Sequence, residues 1–443
     1  MAHRLVRSCA CAALLAAGTG CASSARLPVT AGMGSNPALP SPDTSLIPMV
    51  HVAEAKGWPE ARRPVPIDGA TVTAFARGLD HPRWLYVLPN GDVLVSETNA
   101  PPRPDAGKGL KGWFFRRFQK KAGGGVPSAN RITLLRDADR DGVAETRSSF
   151  VSGLNSPFGI ALVDDVLYVA NSDAVVRFAY SPGQTQIATA PVKVVDLPAG
   201  RLNHHWTKNV VASADGSRLY VSVGSNSNVA ENGIDLEDGR AAIWEVDPRT
   251  RMHRIFASGL RNPVGMAWQP DTGALWVTVN ERDELGSDLV PDYMTAVHDG
   301  AFYGWPYSYF GSHVDTRVTP QRPDLVARAV PPDYALGLHT GSLGLVYAAT
   351  TSLPPPLSQG MFVGQHGSWN RKPRSGYKVI FVPFSGGRPS GDPIDVVTGF
   401  LTEEGDAMGR PVGVAIDNHG ALLVADDVGN VVWRVTAALP PRP

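Results

Sequence analysis

The chain has 443 residues, 43% hydrophobic and 19% charged, a composition typical of a globular protein with a sizeable core. Lysine plus arginine and aspartate plus glutamate number 41 each, so the formal net charge of zero gives no reason to expect a nucleic-acid partner. The 46 glycines and 38 prolines favour many turns over long helices. The length fits one large all-β unit as well as two or three smaller domains.

The first 21 residues have the pattern of an export signal. Two arginines precede an apolar stretch over residues 10–17 that is too short to span a bilayer, and small residues lead to Cys21. This ending resembles a bacterial lipobox, whose cysteine is lipidated after cleavage, although Gly18 stands where leucine is usual. The alternative is a plain secretory signal cleaved near residues 22–25. Both predict export to the periplasm, and the lipobox also predicts a membrane anchor.

All three cysteines lie in this leader, at Cys9, Cys11 and Cys21. The rest of the chain therefore contains no disulfide, zinc-finger site or cysteine nucleophile. Residues 22–65 are rich in proline, serine, alanine and glycine without sustained periodicity. We predict a flexible tether there.

From residue 66 to residue 438 one unit recurs. It consists of a Gly-Leu lead, a proline, a short apolar strand, a turn with Gly, and a second apolar strand. Six copies begin near residues 78, 153, 205, 259, 344 and 409; the third lacks Gly-Leu and the fifth is irregular. Hairpins repeated at this spacing predict an all-β fold, a six-bladed β-propeller with loop insertions. A β-sandwich is the alternative, but it does not explain the repeated unit.

Two insertions interrupt the repeats. The first, 99–130, contains alternating aromatic and cationic residues over 110–121, which suit a helix in the membrane interface, a docking surface for an electron acceptor, or a loop packed on the propeller. The second, 301–338, is rich in aromatic residues over 302–310. These aromatics suit either the wall of a substrate mouth or the core.

An acidic turn follows the strand-like residues 132–135. Asp137, Asp139 and Asp141 alternate before a glycine, a pattern that suits calcium. The turn departs from an EF-hand, because Ser148 stands where the last ligand would be glutamate. It is therefore either a calcium site, with a structural ion, or a solvated acidic turn.

A pair of histidines, His204 and His205, precedes the first strand of the third repeat. Histidine can accept a proton near neutral pH. Adjacent residues of an extended strand point to opposite faces, so only one of the pair can line a central channel. We predict a functional histidine here.

Cations occupy similar places in other repeats. Arg261 with Asn262 precedes one proline, Arg410 precedes another, and Lys378 precedes a strand. Because the innermost strands of a propeller converge on its axis, we expect these cations to face one another across the channel. Buried charges need partners, so this arrangement predicts a ligand with several carboxylates.

A second acidic loop, 281–288, follows the strand at 275–277. It contains Asp283 and Asp288 and is the second candidate for calcium, and the better one for an ion with a functional role.

With these motifs in place, the sequence resembles the PQQ-dependent soluble aldose dehydrogenases, and more closely their L-sorbosone dehydrogenase branch. The resemblance covers about residues 70–436. The stretches that carry it are 78–97, 203–224, 259–265, 280–292, 302–306, 364–370, 375–384 and 409–427.

The resemblance implies a propeller with pyrroloquinoline quinone (PQQ) on its axis. His205 matches the general base, which takes the substrate hydroxyl proton while hydride passes to the quinone; His204 is the alternative, one residue away. Arg261, Asn262, Lys378 and Arg410 match the residues that hold the cofactor.

The resemblance also implies a calcium ion beside the quinone, held by backbone oxygens of Arg282 and Asp283 in the 281–288 loop. Here the sequence departs from the family, which has Gly-Pro at these two positions. A second departure is that a pair of arginines in the glucose-oxidising branch is reduced to Arg410 alone.

The predicted function is oxidation of a sugar or sugar aldehyde with PQQ and calcium, the electrons passing to a respiratory-chain acceptor. Association with a membrane would come from lipidated Cys21 and from 110–121. Two alternatives remain from the residues: a calcium-dependent propeller lactonase, and a propeller that binds a partner without catalysis. The lactonase would need an axial metal and no ring of cations, and the binding protein would leave the cations without an anionic ligand.

Overall fold

A computed structural model of the chain describes residues 24–43, 49–102 and 117–438. The described residues form six β-sheets arranged as blades, with little helix. The leader with Cys21 and most of the 110–121 segment lie outside the described residues. Within the described part, no helix is long and apolar enough to cross a membrane.

Each blade contains four antiparallel strands that follow one another outward from the axis. Blades 1 to 3 contain β4 (Pro82–Val87), β5 (Val93–Glu97), β6 (Arg131–Arg136), β7 (Thr146–Val151); β8 (Ile160–Val163), β9 (Val166–Ala170), β10 (Ala174–Ala179), β11 (Val192–Asp196); and β12 (Val210–Ala212), β13 (Leu219–Val223), β14 (Ala242–Val246), β15 (His253–Ser258).

Blades 4 and 5 carry extra strands at their edges, and blade 6 again has four strands. Blade 4 contains β16 (Pro263–Gln269), β17 (Ala274–Val279), β18 (Pro291–Ala296), β21 (Tyr334–Leu338) and β1 (Met33–Gly34); blade 5 contains β22 (Ser342–Tyr347), β23 (Gly360–Gln365), β24 (Lys378–Ser385), β26 (Ile394–Thr398) and β2 (Val65–Pro66), with β25 (Arg388–Pro389) beside β24; blade 6 contains β27 (Pro411–Ile416), β28 (Leu422–Asp426), β29 (Val431–Ala437) and β3 (Ala70–Arg77).

The ring confirms the predicted propeller. The first strands of successive blades contact one another around the axis, and each hairpin expected from the sequence supplies the inner two strands of one blade. The ring closes where β3, from the N-terminal side, pairs with β29 near the C-terminus. This pairing covers the edge of β29 and joins the two ends of the described chain in one blade.

All first strands begin on one face of the ring, which we call the upper face. Second strands end there and third strands begin there, since neighbouring strands are antiparallel. The connections 280–290, 366–377 and 427–430 therefore lie on the upper face, and the turns within the hairpins lie on the lower face.

The N-terminal segment differs from the flexible tether predicted for 22–65. Its described part runs along the upper face: β1 and β2 extend two blades, Ala53 is fully buried, and the backbone N–H of His51 donates to the carbonyl of Trp369. The side chain of Trp58 packs edge-on against Phe400 at 5.5 Å. The sequence lacks periodicity here because single apolar anchors, not a regular strand, hold the segment.

The second insertion is shorter than predicted, since the blade strand β21 lies within 301–338. It contains the two-residue strands β19 (Ser308–Tyr309) and β20 (His313–Val314) and a short α-helix, Pro323–Val326. Its aromatics are buried, with Trp305 3% and Tyr303 2% exposed. They belong largely to the core, because the insertion packs along the outer edge of β15 through backbone hydrogen bonds at Ser258 and Gly259. Phe302, Trp305 and Tyr307 also line one side of a cavity whose other side is formed by residues 234–241.

Candidate functional site

An apolar plug crosses the axis. One large side chain at or just before the first strand of each blade contributes to it: Trp84, Phe158, Trp206, Val264, Leu343 and Val412. Each first strand runs from the upper face toward the lower face. The residue that precedes each plug residue in the chain therefore lies nearer the upper face. The plug is thus the floor of a polar layer, and that layer contains the candidate site.

His205 lies in this polar layer, directly before the plug residue Trp206. Its Nδ1 lies 2.9 Å from the backbone carbonyl oxygen of Ser225. A carbonyl accepts only, so Nδ1 carries the proton and Nε2 is the basic nitrogen. A Cβ on Gly224 would lie 2.5 Å from both the Cβ of His205 and the Oδ1 of Asn262, so glycine there allows these two predicted residues to come together.

His204 has a different environment. Its backbone N–H donates to Asn226 Oδ1 at 3.3 Å, and its ring lies edge-on to that of His205 with centroids 4.6 Å apart. Burial alone would raise the pKa of Glu231, but backbone N–H groups of Val229 and Asn228, with a smaller effect of the nearby His204, lower it. His204 thus belongs to the loop beside the site, and of the two histidines His205 has the more clearly assigned basic nitrogen.

A second cluster in the same layer centres on Asp427, whose side chain is 1% exposed. Arg83 Nη1 donates to its carboxylate at 2.6 Å, and the Nε2 atoms of His366 and His81 lie 2.9 Å and 3.5 Å away. Arg83 also lies over the ring of Trp206, 5.8 Å from its centroid. The cluster therefore adjoins the segment before β12 that carries His205.

The charges of this cluster follow from burial and pairing. Burial lowers the pKa of His81 to about 4 and also lowers that of His366. Burial alone would raise the pKa of Asp427, but His366, His81 and Arg83 outweigh it and hold that pKa well below its usual range. At neutral pH the carboxylate is therefore ionised and both histidines are neutral.

Arg410 completes the layer. It is 3% exposed, its guanidinium lies 5.1 Å from the centre of the Tyr377 ring, and its Nη2 donates to the carbonyl of Ala53 at 3.4 Å. The proximity of Arg410 contributes to a lowered pKa of Arg83, after the larger effect of burial. The two guanidinium groups thus share one region of the axis, as predicted for Arg410.

Arg261 lies in the predicted place but serves the 281–288 loop. Its guanidinium is 1% exposed and donates to the carbonyl of Glu281 at 2.7 Å and to Asp283 Oδ2 at 3.2 Å. The side chain of Arg282 is fully buried between Glu281 and Asp315. These ion pairs hold the 281–288 loop in place on the upper face.

The 281–288 loop does not fit the calcium site predicted there. The carbonyl oxygen of Asp283 accepts hydrogen bonds from Asn228 Nδ2 and from the guanidinium of Arg317, 2.9 Å away. A cationic donor at that oxygen is unfavourable for a calcium ligand. Asp288 lies elsewhere, with its Oδ2 accepting from the backbone N–H of Arg26 at 2.7 Å. Its role is to hold the N-terminal segment.

The prediction that Lys378 faces the axis is wrong. Lys378 begins β24, the third strand of blade 5, and its Nζ donates to Asp395 of the outer strand at 2.6 Å. The sequence shows that a strand follows Lys378, but it does not show the position of that strand within the blade.

The acidic turn lies on the lower face, between β6 and β7, opposite the axial layer. Ligand atoms of Asp137, Asp139, Asp141 and Glu145 all lie within 4.8 Å of one another, and this is the one such group in ranges 24–43, 49–102 and 117–438. The buried Oδ1 of Asp137 has no hydrogen-bond partner among the described residues. The turn therefore fits calcium, at a distance from the site that agrees with a structural ion.

The axial layer also fits an anionic group. Arg83 Nε and Arg410 Nε are buried donors that lack hydrogen-bond partners within the described part of the chain. Asn262 Oδ1 is a buried acceptor that also lacks one there, so it would need a donor group on the same ligand. Two guanidinium groups share the region with the ionised carboxylate of Asp427. The neighbouring Asp426, whose pKa burial raises to about 6, accepts the backbone N–H of Arg410. Buried polar atoms without partners are rare in folded proteins and mark places where a ligand completes the hydrogen bonding.

Comparison with known proteins decides the family. The family model described as TrAA12-like matches residues 128–300 and 317–438. The chain belongs to the TrAA12-like family. The match begins within blade 1 and continues through blade 6, and it therefore covers most of the ring.

Individual TrAA12-like relatives are distant. A PQQ-dependent sugar dehydrogenase of Hypocrea jecorina is 22% identical over 408 residues, which cover 82% of this chain and 87% of the relative. The holo PQQ domain of pyranose dehydrogenase from Coprinopsis cinerea has a TM-score of 0.67 at 21% identity, over 87% of this chain and all of that one. A calcium structure of a Trichoderma reesei family AA12 enzyme also has a TM-score of 0.67, at 18% identity, over 88% and 99%. The two structural matches establish the fold.

Sequence reasoning missed four residues of the axial layer: His81, Arg83, His366 and Asp427. A signal for Arg83 existed, since it follows Pro82 in the first repeat, beside the proline position that drew attention to Arg261 and Arg410. Asp427 is the second of two aspartates that directly follow the continuous apolar run 421–425. The pairing among these residues required the relative positions of blades 1, 5 and 6.

Proposed function

We propose that the protein is a PQQ-dependent dehydrogenase that oxidises a sugar or sugar aldehyde, of the sorbosone or aldose type. The observation that carries this proposal is the axial layer, in which buried guanidinium groups with unpartnered nitrogens lie above an apolar plug. A flat molecule with several carboxylates matches both features. The names of the fungal relatives support the same cofactor and the same substrate class.

Arg83, Arg410 and Asn262 are the residues that would hold the cofactor, because each offers a buried polar atom in need of a partner. PQQ, when bound, supplies the acceptor for the hydride equivalent of the substrate. Asp427 keeps Arg83 oriented through their 2.6 Å hydrogen bond. The plug closes the axis from below, so the proposed site would be reached from the upper face.

His205 is the proposed general base. Its hydrogen bond to the Ser225 carbonyl holds the proton on Nδ1, so Nε2 can accept the proton of a substrate hydroxyl group. His366 is the second candidate, because it lies in the same layer and its Nε2 contacts the ionised carboxylate of Asp427 at 2.9 Å. A histidine–carboxylate pair of this kind favours proton acceptance at the imidazole.

The proposal includes export, lipidation of Cys21 and transfer of electrons to a respiratory-chain acceptor. It also includes a structural calcium at the acidic turn. It does not include calcium beside the quinone, because Arg317 occupies the carbonyl of Asp283.

The test is dye reduction by the protein without residues 1–21, with and without added PQQ, on a panel of aldoses and sugar aldehydes. We expect turnover only with PQQ, and a loss of about 10²–10⁴-fold in kcat in the variant that lacks the base. His205→Gln and His366→Gln are compared, with the exposed His419→Gln as control.

Loss in His205→Gln with activity retained in His366→Gln supports His205 as base, and the reverse assigns the base to His366. Arg410→Met is expected to weaken PQQ binding in a direct titration. A protein that neither binds PQQ nor turns over any sugar with it overturns the proposal, and lactone hydrolysis is then the activity to assay.

A further inference from the structure

The first described residues are fixed to the rim of the upper face. Asp288 Oδ2 accepts the backbone N–H groups of Arg26 and Leu27, at 2.7 and 3.2 Å. Arg371, which is 1% exposed, donates to the Leu27 carbonyl at 2.6 Å. The N–H of Ala25 donates to the carbonyl of Lys372 at 2.7 Å. Two buried or nearly buried charged side chains, those of Asp288 and Arg371, thus hold Arg26 and Leu27 within three residues of Ser24.

This attachment brings the anchor close to the site. Cys21 precedes Ser24 by three residues, a span of at most about 10 Å even when fully extended. Asp288 and Arg371 belong to upper-face connections of blades 4 and 5, on the side of the plug where the axial layer lies. A lipid on Cys21 would therefore be attached close to this face of the propeller.

We propose that the upper face of the propeller lies against the phospholipid bilayer, with the mouth of the axial site directed at the membrane. The inference rests on the proposed lipidation of Cys21 and does not depend on the reaction. A flexible tether of some 40 residues would leave the propeller free to rotate, whereas the docked segment transmits the orientation of the anchor to the whole ring. Residues 102 and 117 of the first insertion, on either side of 103–116, belong to the upper-face connection between β5 and β6.

The orientation has a consequence for the electron acceptor. A site that opens toward the bilayer is accessible to an acceptor in or on the membrane and is shielded from large soluble redox proteins. The surface therefore fits a membrane-bound quinone or a membrane-anchored redox protein as the partner that removes electrons.

The absence of cysteine beyond Cys21 makes the orientation measurable. We would label a single cysteine in two variants of the full-length, lipidated protein bound to phosphatidylethanolamine–phosphatidylglycerol vesicles. Ser152→Cys lies on the upper face across the ring from Asp288, and Asp165→Cys lies in the lower-face turn between β8 and β9; both positions are exposed. The readout is Förster transfer from the label to a dye on lipid headgroups.

We expect about two-fold higher transfer from position 152 than from position 165, because the two faces are separated by the height of a blade, roughly 20 Å. Asp288→Ala should reduce this difference while vesicle flotation persists, since the anchor remains but its attachment to the ring is lost. Asp283→Ala in the neighbouring part of the loop is a control for general disturbance of the loop.

Three results would overturn the proposal. Equal transfer from both positions would mean that the ring rotates freely, and higher transfer from position 165 would mean the opposite orientation. Cys21→Ser is the negative control for vesicle flotation. If the wild type also failed to float with vesicles, the protein would have no lipid anchor, and the proposal would be wrong. Dye reduction with PQQ, measured in parallel on the same samples, reports on the proposed reaction separately.

Discussion

The buried imidazole of His81 shows how single residues set the pH range of this protein. Its pKa falls to about 4 because burial penalises the charged form. In an unfolded chain the pKa of histidine is about 6.5. The folded state therefore binds fewer protons than the unfolded state between these values, and the contribution of His81 to stability is lost as pH falls from about 6.5 toward 4.

We expect this one residue to account for about 2 kcal/mol of the fall in unfolding free energy between pH 7 and pH 5. His81→Asn removes the titration, and asparagine tolerates the φ of 56° at this position. Denaturant unfolding of the wild type and the variant at both pH values measures the effect. The exposed His419→Asn should keep the full pH dependence of the wild type, and an unchanged dependence in His81→Asn would contradict the assignment.

Calcium at the acidic turn gives a second prediction for individual residues. Calcium should raise Tm in the wild type, by a free energy near 2.7 kcal/mol when the ion is present at about 100 times its Kd. Replacing Asp139 and Asp141 by asparagine removes two ligand charges and should abolish the rise. Asp164→Asn with Asp165→Asn, in another exposed lower-face turn, is the control. Because the turn lies far from the axial layer, the double variant should retain PQQ-dependent dye reduction when folded.

These residues also show what the sequence could predict about the site. His205, Asn262 and Arg410 each occupy a fixed place beside a repeated strand, so the position within the repeat was enough to select them. Lys378 lies at the start of a strand, and Asp288 lies in a loop between two strands. Their partners, Asp395 and Arg26 respectively, are determined by contacts across the fold. Periodicity locates a residue along a blade, whereas tertiary packing decides which way its side chain turns.

At the scale of elements, the docked N-terminal segment is the main departure from expectation. Inner hairpins were predictable because apolar strands between glycine turns have a strong local signal. β1 and β2 have only two residues each and lie in proline-rich sequence, so their strand character comes from the blade edges with which they pair. The segment also reaches the site, since the Ala53 carbonyl accepts from Arg410.

Trp58 provides the test at this scale. Its Nε1 donates to Asp426 Oδ2 at 2.6 Å, and the same carboxylate accepts from Trp433 Nε1 and from the backbone of Arg410. Burial raises the pKa of Asp426 to about 6, so removing a donor leaves a poorly solvated carboxylate. Trp58→Phe should lower the unfolding free energy by about 1–3 kcal/mol.

The matched control for Trp58 is Trp369→Phe, because the Trp369 side chain is 38% exposed. We expect a change there within about 0.5 kcal/mol. Chemical denaturation of the two variants at pH 7 makes the comparison. Equal effects would mean that the N-terminal segment contributes little to the stability of blade 6.

At the scale of the whole molecule, closure of the ring is the determining feature. Blade 6 is built from both ends of the described chain, and Trp433 of β29 is fully buried in its core. A chain that ends after Asn430 lacks β29, so β3 and β28 both lose their partner strand. We expect it to lose cooperative thermal unfolding and to aggregate, whereas a chain that ends after Ala438 unfolds like the wild type. Scanning calorimetry and size-exclusion chromatography would distinguish the two.

The pairing of β3 with β29 also sets the time at which the protein can mature. A ribosome makes β3 hundreds of residues before β29, so the N-terminal strand waits for its partner throughout synthesis. Under the proposed export, the strand that completes the ring would be among the last to cross the membrane. The late partner would then delay folding until translocation is nearly finished, and the axial layer would be assembled only after export.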